Sequence, residues 1–438
     1  MKKKLWIVIC CILLILISII VLIFSKFYYT TNSIKNIYIN NDDKIVVELN
    51  NNDETYCLID NKETTSWIKG INKKCILDYI ENNKYIYLKN NLGYVVRLNN
   101  TYNLKSIKKF DIKNNKVYLA INGTEKIDYF LDSIIDKTQN IKFVSANDNI
   151  AKSDNKGVIT GVNVGTTEIY VILEDFNTKV EVVVTNNIIV PSKDYVYKRD
   201  YIKCNEFSKE DNDLIDEILL NRISKVGKHT RAAVVEAARF ITLEFSKRIP
   251  YFAENGRLSM NGIDGEGRYY REGLFLNSSR YNLIKDSMHG PKAWGCNMYS
   301  YPVNRTIPNG LDCSGFVSWA FINAGFDVGD IGAGITPVKD FTDLGNKKNI
   351  KNAVDNNTIL VGDLLSGKFT NGGHIAIVVG INEGYYYVTE SLYEDNHKYY
   401  GVITRKYKFD ELSNFFSWHI DMNEFYQVDG NITNYWLD

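Results

Sequence analysis

The sequence predicts a multidomain chain: an N-terminal transmembrane helix, two small all-β modules, and a C-terminal α+β catalytic domain with a helical extension. Three observations carry that reading. An unbroken apolar run occupies Leu5 to Phe24. Short alternating strands with Asn/Asp/Gly turns fill much of residues 34–187. Past residue 206 the apolar period becomes helical, and buried-strand runs follow it. At 438 residues the chain has room for three or four domains.

Residues 1–30 read as a cytoplasmic basic tip and an anchor. Lys2-Lys3-Lys4 precede the apolar run, whose length matches the hydrocarbon core of a bilayer. Basic residues stay on the cytoplasmic side, so the chain beyond Lys26 is expected outside the cell membrane, held by a single pass. A cleaved signal peptide has a shorter apolar region followed by small residues, and Ser25-Lys26-Phe27-Tyr28-Tyr29 offers no such site.

Residues 34–105 alternate strands (Lys44 to Leu49, Lys84 to Leu88, Tyr94 to Leu98) with turns, the spacing of a small β-sandwich. A second module spans 107–187. Five cysteines lie beyond the anchor: Cys57, Cys75, Cys204, Cys296 and Cys313. An odd number leaves one thiol free, and Cys313 suits that part. Cys57 and Cys75 share one module and can bridge in an oxidising space. The spacing pairs neither Cys204 nor Cys296.

Pro191 and the charged stretch after it form a linker over 188–205. A helical extension over 206–262 contains helices at Lys209 to Ser224 and Arg231 to Lys247, the second ended by Ile249-Pro250. The catalytic domain is placed at 263–438. Within it, Asp312-Cys313-Ser314-Gly315 precedes apolar residues at Phe316, Val317, Ala320, Phe321 and Ala324, with Gly325 as the stop. Cys313 therefore opens a buried helix, where unpaired N–H groups and the macrodipole favour a thiolate. Burial as a small packing residue is the plainer alternative.

A cysteine nucleophile needs a base and an orienting group. Of five histidines, His374 stands at the head of the strand run Ile375 to Val379, behind the turn Asn371-Gly372-Gly373. His397 falls in a charged loop, His289 in a loop, and His419 in a half-buried packing position. Glu390 closes the next strand, Tyr385 to Glu390, and can accept the second ring N–H of His374; Thr389 is the adjacent candidate.

Trp294-Gly295, Leu311-Asp312-Cys313-Ser314-Gly315-Phe316-Val317, Gly362-Asp363-Leu364 and Gly373-His374-Ile375-Ala376-Ile377 resemble the ordered motifs of the NlpC/p60 cell-wall peptidases, over roughly residues 265–425. The resemblance implies a papain-like domain that hydrolyses γ-D-glutamyl-diamino acid bonds in peptidoglycan stem peptides. By it Cys313 is the nucleophile and His374 the base, and Asp312, Ser314 and Trp294 bind substrate. Glu390, sixteen positions after His374, is closer to the third residue of the CHAP amidases. Val361 stands where proline is common, and Cys296 where a second glycine is. Residues 107–187 resemble the bacterial Ig-like group 2 domain, carried by Ser145 to Ala151, Lys156 to Gly161, Gly165 to Ile169 and the strand Val180 to Val184. Phe143 stands where that family has tryptophan.

Lys plus Arg equal Asp plus Glu at 52 each, so no polyanion such as nucleic acid is expected as partner. No metal or other cofactor is expected, because no histidine–carboxylate set has ligand spacing. The expectation is thus a membrane-anchored cysteine hydrolase acting on peptidoglycan, with Ig-like modules that reach wall or surface ligands. The alternatives are an N-acetylmuramoyl-L-alanine amidase of CHAP type and a surface adhesion or scaffold protein whose papain-like domain is inactive.

Overall fold

The computed structural model describes residues 2–31, 34–50, 55–59, 66–79, 85–90, 93, 95–99, 107–134, 136–192, 199–252, 273–274, 294–300, 305–328, 331–332, 340–369, 372–393, 401–434 and 436–437. Among them are twenty-four strands and five α-helices, so the chain is mostly β. Asn371, His289, His397, residues 193–198 of the linker and residues 253–262 of the helical extension lie outside the described residues.

The first helix, α1, is Lys2–Thr31. Without Gly or Pro, its Leu-, Ile- and Val-rich sequence keeps a continuous helical backbone, and the Ser18 hydroxyl donates to the Ile15 carbonyl at 2.7 Å. Among the described residues no helix is long and apolar enough to cross a membrane. The expected single-pass cell-membrane anchor is corrected accordingly.

The chain divides into two units. One comprises Met1–Asn114, Asp128–Lys142 and Val171–Thr178; the other comprises Asn115–Ile127, Phe143–Tyr170 and Lys179–Asp438. In the first, strands Ile34–Ile39, Lys44–Leu49 and Lys74–Asp78 form one antiparallel sheet. Strands Ile68–Lys69, Thr55–Ile59, Tyr85–Asn90 and Val95–Asn99 form another. Along Lys74–Asp78 burial alternates, with Cys75 and Leu77 turned inward. Cys57 belongs to the four-stranded sheet and Cys75 to the three-stranded one, and a disulfide joins them through a core that contains Val47 and Leu88.

In the second unit, Lys116–Ala120 runs parallel to the end of Phe176–Thr185, with Val117 opposite Val182. Phe143 packs over Gly157, where a Cβ would lie 2.7 Å from its ring. Helix α2 (Lys209–Val226) starts on a capping box, in which the Ser208 and Asp211 side chains each accept from the other's backbone N–H. Helix α3 (Arg231–Arg239) is capped by Thr230. It ends eight residues earlier than the sequence suggests. A π turn over Phe240–Glu244 intervenes, closed by Phe245 N–H on the Phe240 carbonyl at 2.7 Å.

Helices α4 (Cys313–Asn323) and α5 (Ile350–Asp355) flank a six-stranded antiparallel sheet. Its strands are β1 (Asn346–Asn349), β2 (Leu364–Phe369), β3 (Gly372–Asn382), β4 (Tyr385–Leu392), β5 (Gly401–Lys408) and β6 (Trp418–Asp421), in the order β1-β6-β2-β3-β4-β5. Leu364, Ile375, Ile377 and Val379 join a core with residues of α3 and α4. Leu365, Ala376, Val378 and Val388 join another with Ile350 and Ala353 of α5. Burial on both faces accounts for the continuous apolar run in β3. The expected fold class is corrected to a mostly β chain: among the described residues of 263–438, helix contributes eleven in α4 and six in α5, against a six-stranded sheet, and not the papain-like α+β domain foreseen.

Candidate functional site

Asp312 is the N-cap of α4, its carboxylate accepting from Gly315 N–H at 2.7 Å, and this cap fixes Cys313 as the first helical residue. Ser314 Oγ lies 3.4 Å from the same carboxylate. Cys313 Sγ sits 3.9 Å from the Gly373 carbonyl and is a hydrogen-bond partner of the His374 side chain.

Strand register supplies the rest. Ile377 faces Thr389, so His374 on β3 and Glu390 on β4 share the opposite face of the sheet. Their contact is 2.6 Å, from Nε2 to Oε2. Glu390 faces Ile403 of β5, which puts Arg405 and Tyr407, two and four residues on, on that same face. Arg405 Nε donates to Glu390 Oε1 at 2.6 Å and the Tyr407 hydroxyl at 2.7 Å. Phe416 stacks on the His374 ring at 6.1 Å.

Glu390 is fully buried and His374 nearly so. Burial alone would make the Glu390 carboxylate costly, but Arg405 and His374 outweigh it and hold the acid at about 2. Burial likewise opposes the imidazolium of His374, yet the hydrogen bonds to Cys313 and Glu390 and their charges raise it to about 9. The arrangement therefore keeps a proton on a buried imidazole, beside the Cys313 sulfur, at neutral pH.

Trp294 is placed elsewhere, in the core, its indole N–H donating to the Leu274 carbonyl. Thr389 hydrogen-bonds Thr404 at 2.8 Å, on the face away from His374. His419, read as half-buried, is fully buried and meets Asp363 Oδ2 at 2.7 Å. Arg231 reaches the other oxygen of Asp363 at 2.9 Å. Sequence reasoning missed this ion network and the partners Arg405 and Tyr407. Only the alternation of Arg405 and Tyr407 along one strand pointed to the latter. Among the described residues no group of His, Cys, Asp and Glu is arranged to hold a metal ion.

No family model matches the chain, and no curated protein matches it. Solved structures similar to parts of it include the S-layer protein SbsC, domains 4 and 5, at 18% identity and a TM-score of 0.17. That match covers 23% of this chain and 63% of the other. The insect immune protein hemolin is similar at 10% identity and a TM-score of 0.20, over 35% of this chain and 43% of its own. Extracellular domains 3–5 of Drosophila OTK are similar at 12% identity and a TM-score of 0.15, over 36% and 65%. The chain thus spans less than two thirds of the first structures it matches, and likenesses at such TM-scores carry no argument of their own.

The NlpC/p60 resemblance is corrected by these findings. Neither that family's model nor those of the CHAP amidases or the bacterial Ig-like group 2 domains matches. The identification as a thiol peptidase of the cell membrane is not retained. Four short motifs in order are too few residues to define a family when the intervening chain does not follow it.

Proposed function

We propose that the chain is a surface scaffold or adhesion-type protein that holds to the cell wall through its β-rich region. The observation that supports this most is the Cys57–Cys75 disulfide between two facing sheets. A cystine across a two-sheet sandwich is the build of many cell-surface domains, and it persists in oxidising, extracytoplasmic spaces. The second disulfide, Cys204–Cys296, favours the same compartment. Fold names no ligand by itself. Peptidoglycan is the partner this reading assigns, bound through hydrogen bonds and ring contacts, since a net charge of zero gives no bulk attraction.

In this reading Cys313, His374 and Glu390 lock the core of the second unit. Cys313 is only 9% exposed, and Glu390 is fully buried with three donors on it. The test is co-sedimentation of the full chain with purified peptidoglycan, with mass spectrometry of the supernatant. The chain is expected in the pellet, with no wall fragments released. A chain that stays in the supernatant refutes the proposal. So does release of soluble stem peptides that ceases in Cys313→Ala.

A further inference from the structure

A cavity of about 480 Å³ lies in the second unit, and its lining includes none of Cys313, His374 or Glu390. Its wall gathers Glu125, Arg222, Lys225, Glu236 and Glu244. Arg222 is matched to Glu244, with Nε and Nη2 at 3.0 and 2.8 Å from one carboxylate oxygen. Lys225 is matched to Glu125 at 2.5 Å. Two cations of the wall thus hydrogen-bond two carboxylates, and neither hydrogen-bonds Glu236.

Glu236 is 6% exposed, and among the described residues nothing hydrogen-bonds its carboxyl. Arg239, on the same helix, donates instead to the Val379 carbonyl at 2.9 Å and to Asn434 Oδ1 at 3.1 Å. Burial, with a smaller push from Glu244, raises the Glu236 acid to about 7 against the pull of Arg239, Arg222 and Lys225. A buried carboxyl without a partner at a cavity wall is an unfilled demand for a hydrogen-bond donor. Leu119, Val190 and Val226 supply apolar surface beside it.

We propose that this cavity binds a protonated primary alkylamine, its ammonium group on the Glu236 carboxylate and its carbon chain along Leu119, Val190 and Val226. The volume suits a small organic ligand. An anion would meet the unmatched carboxyl, and a neutral alcohol would leave its charge unanswered. A free amine and a lysine side chain of a peptide present the same chemistry.

The test is calorimetric titration of the full chain with n-butylammonium chloride, with Nα-acetyl-lysine methylamide, and with 1-butanol as the neutral control. One amine per chain is expected to bind, at least about tenfold more tightly than 1-butanol. Binding should weaken at least about tenfold in Glu236→Gln. Butylammonium binding shows that a free amine suffices; binding of the lysine derivative alone assigns the site to a peptide. In the native chain, binding at pH 6.5 should release a proton, read from the dependence of the heat on buffer ionisation, and release should vanish by pH 8.5. Failure of both amines to bind, equal binding of 1-butanol, or absence of proton release at pH 6.5 overturns the proposal. The last readout needs no variant to fold.

Discussion

Replacing Glu390 by Gln keeps the side-chain shape and removes the charge on which three groups converge. His374 rises from 6.5 to about 9 in the folded chain. At about 1.4 kcal/mol per pH unit, that rise corresponds to roughly 3 kcal/mol of preference for the imidazolium. The lowering of Glu390 from 4.5 to about 2 describes the same pairing from its other side, so the two are not added. The sign follows from linkage. A raised histidine contributes stability that is fully present below pH 6.5 and is lost as pH rises through about 9. In Glu390→Gln the burial of His374, its largest single influence, faces only Cys313. The His374 titration should fall by more than about one unit, and the loss of stability between pH 6.5 and 9 should flatten. Arg405 and Tyr407 keep an amide oxygen as acceptor but lose its charge, which leaves the half-buried Arg405 facing a neutral group, for an overall cost on the order of 3 kcal/mol at pH 7. Urea unfolding at pH 6 to 10, with histidine-selective NMR, measures both. A variant whose His374 still titrates near 9, or whose stability keeps the native pH slope, would refute the reasoning.

Thr389→Val makes the useful contrast. It removes one hydroxyl from the chain Thr389–Thr404–Thr242, should cost about 1 kcal/mol in urea unfolding, and should leave the His374 titration in place. Glu236→Gln should stabilise the chain above pH 7. The raised acid contributes stability below pH 4.5 that is lost as pH rises through about 7, a difference of up to roughly 3 kcal/mol that denaturation at pH 5 and pH 8 would expose. Replacing Cys57 and Cys75 together by Ala should destabilise the first unit by about 3 kcal/mol, read as an earlier thermal transition under otherwise identical conditions.

Local chemistry was legible in the sequence where it is local in the fold. Cys313 at the opening of a buried helix follows from four consecutive residues and the period behind them, whereas the part of Asp312 as the cap of that helix comes from the structure. The apolar run Ile375 to Val379 is a strand, and Glu390 of the following strand, which continues to Leu392, lies beside His374. Register explains what was not legible. Arg405 and Tyr407 reach Glu390 only because β5 pairs with β4 at one particular offset, which no motif encodes. The Arg231–Asp363–His419 network joins residues 132 and 56 positions apart, and His419 reads as an ordinary packing residue until its partner is placed. The helix from Arg231 stops at Arg239 although its apolar face continues, because a π turn preserves that face while changing the backbone. The apolar run after Lys4 and the four ordered motifs were over-read. Neither a hydrophobic count nor a handful of matched positions contains the global information that an anchor or a family requires.

The bond between Cys204 and Cys296, at a sequence separation of 92, closes the chain between them into a covalent ring that contains α2 and α3. A protease that cuts once anywhere on that ring opens it without releasing a piece. The clipped molecule would migrate on a denaturing gel as one species, and would fall into two only after a thiol reductant. Wear on this part of the molecule in an environment rich in proteases is thus hidden from size alone. It is undone in a single step when the surroundings become reducing.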